Sequence, residues 1–98
     1  MIRVLLPPHL QALARVEGEV LIDLRNEATL DSVLTTLETE FPVLKGTIRN
    51  HVTRERRPLV RFIARRKDIS HQPPDRQLPP SVVSGNEPLL IVGAVAGG

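Results

Sequence analysis

A chain of 98 residues is too short for two independent hydrophobic cores and is read as a single domain over residues 1–98. Its composition, 41% hydrophobic and 24% charged, is that of an ordinary globular protein. The 2% aromatic share weighs against a stacking platform for bases or sugars, and the lack of cysteine excludes disulfides, thiolate nucleophiles, zinc ribbons and cysteine-ligated iron–sulfur clusters. The net charge is +2, no apolar run approaches the roughly 20 residues that span a bilayer, and Met1-Ile2-Arg3-Val4 opens as a strand rather than a signal peptide, so a soluble cytoplasmic protein with no membrane partner is expected.

Ile2, Val4 and Leu6 alternate with Arg3 and Leu5 until Pro7-Pro8, which predicts a first strand. Leu10, Leu13 and Ala14 suggest a short helical turn in the loop that follows. Glu17-Gly18-Glu19 is a turn signal, and Val20, Ile22 and Leu24 alternate with Leu21, Asp23 and Arg25 in a second strand that pairs with the first. From Leu30 the period lengthens: Leu30, Val33, Leu34, Leu37 and Phe41 share one helical face, with Thr29 as N-cap, Asp31 in the first turn and Pro42 ending the helix. Residues 43–53 place Leu44, Ile48 and Val52 at helical spacing around Gly46, predicting a short irregular helix.

Leu59–Lys67 is read as a third strand with Val60, Phe62 and Ala64 inward and Arg61 and Arg65 toward water. Four prolines between Gln72 and Pro80 predict a loop, and Ser84-Gly85-Asn86 a turn. Leu89-Leu90-Ile91-Val92 is a continuous aliphatic run, as expected of a strand lying centrally in a sheet. The order strand, strand, helix, strand, strand predicts an α+β fold, a mixed four- to five-stranded sheet with one main helix on one face, its first and last strands parallel. The final strand then delivers a flexible tail, residues 94–98.

The charge is unevenly spread. Residues 1–44 carry three basic and seven acidic side chains, residues 45–67 nine and one, and residues 68–98 one and three, so −4, +8 and −2 sum to the net +2. The cationic middle reads first as an ordinary solvated face; as a functional one it offers Arg57, Arg61, Arg65, Arg66 and Lys67 to an acidic partner protein or, less favoured without interleaved aromatics, to nucleic acid.

The ending, Pro88-Leu89-Leu90-Ile91-Val92-Gly93-Ala94-Val95-Ala96-Gly97-Gly98, with the Gly85 turn before it, resembles that of the MoaD/ThiS sulfur carriers. The element order also matches their β-grasp, ubiquitin-like fold. Leu59-Val60-Arg61-Phe62-Ile63 and the Ala94–Gly98 tail look most like the carriers that feed cysteine biosynthesis. Where those carriers tend to have a neutral, Asn-containing strand, this sequence has Ala64-Arg65-Arg66-Lys67, and Gly93 stands where Pro is common.

The resemblance implies that a ubiquitin-activating-type adenylyltransferase uses ATP to adenylate the Gly98 carboxylate. A sulfur donor then makes the thiocarboxylate, and a sulfur-accepting biosynthetic enzyme (cysteine, molybdopterin, thiamine or a related pathway) receives the sulfide. The chain itself would bind no cofactor, act as co-substrate rather than enzyme, and be a monomer when free. Gly97 and Gly98, lacking Cβ, let the tail thread a narrow channel and expose the terminal carbonyl; Ala94, Val95 and Ala96 would lie extended in the partner's groove.

Two other functions share these features: a ubiquitin-like modifier conjugated through the same Gly98, and an RNA-binding module using residues 45–67. His9, His51 and His71 lack metal-ligand spacing and are read as surface residues, so no metal is expected. Asp68, Ser70 and His71 on an extended segment do not form a nucleophile site. Gly85 is read as serving a turn, and Gly93 a bulge or close approach.

Overall fold

A computed structural model describes residues 1–25 and 27–93. Eight elements follow one another: β1 (Ile2–Leu5), α1 (Pro8–Ala14), β2 (Glu19–Ile22), α2 (Leu30–Glu40), β3 (Val60–Ala64), β4 (Lys67–Asp68), α3 (Pro80–Val83) and β5 (Leu89–Gly93). The strands form one mixed sheet in the order β2-β1-β5-β3-β4. β5 runs parallel to β1 (Val4 opposite Leu89, Leu5 opposite Leu90) and antiparallel to β3 (Phe62 opposite Ile91, Val60 opposite Gly93). The last strand is thus central, as its unbroken aliphatic run predicted, and parallel to the first, as the element order predicted.

Alternation sorts each strand into two faces. Ile2, Val4, Val20, Ile22, Val60, Phe62, Ala64, Leu89 and Ile91 are buried on one face with Leu30, Val33, Leu34 and Leu37 of α2. Arg3, Leu5, Leu21, Arg61, Ile63, Leu90 and Val92 turn to the other, half-buried or exposed. α2 begins where expected: Ser32 N–H donates to Thr29 Oγ1 at 3.0 Å and Thr29 N–H donates to Ser32 Oγ at 2.9 Å, a reciprocal capping box.

Three expected elements take a different form. The strand expected through Lys67 stops at Ala64, because Arg65 (φ 53) and Arg66 (φ 62) both adopt left-handed backbone. They make a two-residue hairpin turn that pairs Ala64 with Lys67, so Arg65 lies in a turn and not on the strand. β2 ends at Ile22, leaving Leu24 partly buried beyond it. Residues 43–53 form no α-helix: they hold a 3₁₀ turn at Pro42–Leu44 and an isolated antiparallel bridge from Arg49 to Arg56. Leu44 and Ile48 are buried as their spacing suggested, whereas Val52 is 76% exposed; Gly46 at φ +83 prevents a continuous helix.

What fastens this irregular stretch is Arg49. Its guanidinium is 3% exposed and reaches across to α2, donating to both carboxylate oxygens of Glu38 at 3.1 and 3.0 Å, to Asp31 Oδ1 at 2.8 Å and to Thr35 Oγ1 at 3.0 Å. Burial opposes the charge, but the hydrogen bonds and charges of Glu38 and Asp31 outweigh it and hold the Arg49 pKa above its ordinary value.

The proline loop is pinned as well: Leu78 N–H donates to Ala28 O and Asp31 N–H to Pro74 O, which fixes residues 74–78 against the start of α2. At the turn before β5, Gly85 sits at φ +85, and a Cβ there would meet the Met1 carbonyl oxygen at 2.6 Å, so glycine is required.

Candidate functional site

The predicted reactive residue Gly98 and the tail residues Ala94, Val95, Ala96 and Gly97 lie outside the described residues. The structure describes the platform from which they depart. β5 is held on both sides through Leu90, but β1 pairs with it only as far as Leu5 before Pro7 turns that chain into α1. Over Ile91–Gly93 the strand therefore keeps β3 on one side and has the bend at Pro7 on the other.

Two recesses flank this stretch. One, of about 310 Å3, is bounded by Pro7, His9, Thr47, Arg57, Leu59 and Gly93; the other, of about 240 Å3, is walled by Leu5, Pro8, Leu90 and Val92 on the outward face. Leu59 (64% exposed) and Val92 (48%) leave apolar surface at this end of the sheet, the kind of surface that marks a contact site when it is contiguous.

Gly93 itself is an ordinary strand residue. A Cβ there would come only within 3.7 Å of His9 Cε1, a normal contact, so the bulge or close approach expected of it is absent. His9, His51 and His71 are all exposed. Among the described residues no cluster of three or more histidines and carboxylates is arranged to hold a metal ion.

Five cations were expected to share a face, and the structure distributes them along β3. Arg57 stands at the tail end, where its Nε donates to Gly46 O at 2.8 Å. Arg61 lies opposite Val92 on the outward face, 3.8 Å from Asp68 Oδ2 and 3.1 Å from His71 Nε2. Arg65, Arg66 and Lys67 lie at the far end, about 13 Å further along at the usual rise of a strand. There the sequence-remote Arg76 joins Arg65 and Lys67 around a third recess of about 540 Å3. Arg76 sits in the proline loop, and nothing in its local sequence marks it.

Asp68, Ser70 and His71 do not converge as a catalytic group. Ser70 Oγ accepts from Phe62 N–H at 2.8 Å while Ser70 N–H donates to Asp68 Oδ1 at 2.8 Å, a clasp that closes the β3–β4 hairpin. Hydrogen bonds from Ser70 hold the Asp68 carboxyl below the usual carboxylate range, with Arg61 and His71 lowering it further. Among the described residues no helix is long and apolar enough to cross a membrane.

No protein-family model and no curated protein matches the chain. Among solved structures, the crystal structure of SAMP1 from Haloferax volcanii is similar, with a TM-score of 0.74 and 18% sequence identity over 98% of this chain and 97% of that chain. The five-stranded mixed sheet with its packed helix is a β-grasp, ubiquitin-like fold.

Proposed function

We propose that this protein is a cytoplasmic sulfur carrier. A ubiquitin-activating-type adenylyltransferase joins the Gly98 carboxylate to the α-phosphorus of ATP and releases pyrophosphate. A sulfide-level donor then attacks the acyl carbon and AMP departs, leaving a thiocarboxylate on Gly98. A sulfur-accepting biosynthetic enzyme takes the sulfide, water restores the carboxylate, and the chain returns as a regenerated co-substrate with no bound cofactor.

The observation that carries the reading is the position of β5. The central strand of a ubiquitin-like sheet runs out at Gly93 and leads directly into Ala94-Val95-Ala96-Gly97-Gly98. A strand anchored by buried Leu89 and Ile91 gives the tail a fixed origin, so the entropy lost on threading is confined to a few small residues. Glycines at the end let the backbone take angles closed to other residues and leave the carbonyl open to attack. Val92 and Leu90 on the outward face, with Arg61 opposite Val92 and Arg57 at the same end beside Leu59, supply apolar area rimmed by positive charge for the activating enzyme.

The test is intact-mass measurement after incubation with ATP, magnesium, a sulfide donor and an activating enzyme from the same source. The expected result is the mass gain of sulfur replacing one oxygen, mapped to Gly98 and abolished by Gly98→Ala or by one residue added after it. No adduct, with an enzyme proven active on its own carrier, overturns the reading. An ATP-dependent ladder of conjugates without thiocarboxylate puts the modifier role in its place.

A further inference from the structure

We propose that the recess at the β3–β4 turn, at the opposite end of the sheet from the tail, is a docking site for an acidic, extended segment of a partner protein. Residues far apart in sequence build it: Arg65 and Lys67 from the hairpin, Arg76 and the two amides Gln72 and Gln77 from the proline loop, over a wall of Pro79 and Pro80. Three cations bound a space of about 540 Å3 and no carboxylate lines it. The nearby acids are otherwise engaged or turned aside. Asp68 accepts from Ser70 and faces Arg61, and Glu87 accepts from Ser81 Oγ and only loosely meets Arg65 Nε, at 3.9 Å. Asp75 neighbours Arg76 in the loop without lining the recess.

The recess is formed before any partner arrives. One wall is a hairpin clasped by Ser70, and the other is a loop pinned to α2 through Leu78 and Asp31, so little ordering remains to oppose binding. Its hairpin turn also breaks a local rule. A two-residue turn with both backbones left-handed suits Asn-Gly, yet it holds two arginines, and conflicts of this kind concentrate where side chains serve something other than folding.

The lining selects the partner's chemistry. Guanidinium groups pair carboxylates in a bidentate manner, exposed glutamine amides can donate to and accept from a peptide backbone, and proline walls take small apolar side chains. No aromatic residue lines the recess to stack a base. Because this end of the sheet is remote from Gly93, a partner can occupy it while the tail is engaged elsewhere. The inference stands whether or not Gly98 carries sulfur.

The experiment titrates the 15N-labelled full chain with the peptide acetyl-Glu-Asp-Leu-Glu-Asp-amide and follows amide shifts. The lysine-for-acid peptide and a single-stranded hexauridylate serve as comparisons. Saturable shifts at Arg65, Lys67, Ile69, Gln72, Arg76 and Gln77 are expected, weakening with added salt and weakening about tenfold in the double variant Lys67→Gln, Arg76→Gln. Those two side chains are exposed and enter no ion pair among the described residues, so the variant should fold, which its spectrum reports directly. Absence of saturable shifts at millimolar peptide, shifts centred elsewhere, or equal affinity in the double variant overturns the proposal. Tighter binding of the RNA at the same amides overturns it in favour of nucleic acid.

Discussion

Arg49 and the pair Arg65-Arg66 belong to the same cationic run, yet they sit in opposite physical situations. Arg49 has ordinary backbone and a side chain that is almost wholly buried, with every branch of its guanidinium matched by Glu38, Asp31 or Thr35. Arg65 and Arg66 have exposed side chains and left-handed backbone, and Arg65 meets Glu87 only at 3.9 Å with both groups largely in water. The first arginine gives up hydration for the fold. The other two tax the fold to keep their charge in solvent. Formal charge counts both as equal, so a net +8 over residues 45–67 overstates what a partner would meet.

The largest effect should come from removing Arg49. Arg49→Ala leaves Glu38, itself 6% exposed, as an uncompensated buried charge, and the expected loss is about 3–5 kcal/mol in urea unfolding. Arg49→Lys keeps the charge but cannot reproduce the fork to Glu38, so it should fall between Ala and the natural residue. If Arg49→Ala loses less than about 1 kcal/mol, as exposed ion pairs do, the two kinds of arginine are not distinct and the comparison fails.

The opposite sign is expected at the hairpin. Replacing Arg65-Arg66 by Asn-Gly keeps the two-residue turn and relieves its left-handed strain, which should raise stability by about 1–2 kcal/mol. The same change should weaken the acidic peptide. A stabilised protein that binds the peptide unchanged would mean that the turn strain serves no recess, while a destabilised one would mean that the arginine stems pack more than their exposure suggests.

Much of the frame was legible because its signals are periodic or continuous. The spacing from Leu30 to Phe41 fixed a helix face, Thr29 its start, and Leu89–Val92 a central strand, since these depend on burial that repeats along the chain. Four features were illegible for specific reasons. α3 opens on Pro80 after Pro79 and lasts four residues, too short for a period to register. The hairpin end was hidden because Arg-Arg carries no turn signature. The burial of Arg49 and the convergence of Arg76 on the recess depend on partners distant in sequence, and nothing adjacent to either residue announces them. For the candidate site, the sequence located the strand that launches the tail, whereas the split of the cations between the two ends of β3 emerged only from the register of β3 against β5.

The smallest prediction tests whether the hairpin clasp is electrostatic at all. Asp68 has its pKa lowered by the hydrogen bonds from Ser70, then by Arg61 and His71. A carboxyl depressed in the folded state adds stability that is present above its ordinary pKa and lost as pH falls through the depressed one, that is, below about 4. Asp68→Asn keeps an acceptor for Ser70 N–H but removes the charge. Every other carboxylate titrates in both proteins, so the difference between their urea midpoints isolates Asp68. That difference should favour the natural protein at pH 6 and narrow as the pH falls below the ordinary carboxylate range. A gap that stays constant across this range would assign the clasp to hydrogen-bond geometry alone, and Arg61 would then be as free as Arg66 to meet a partner's charge.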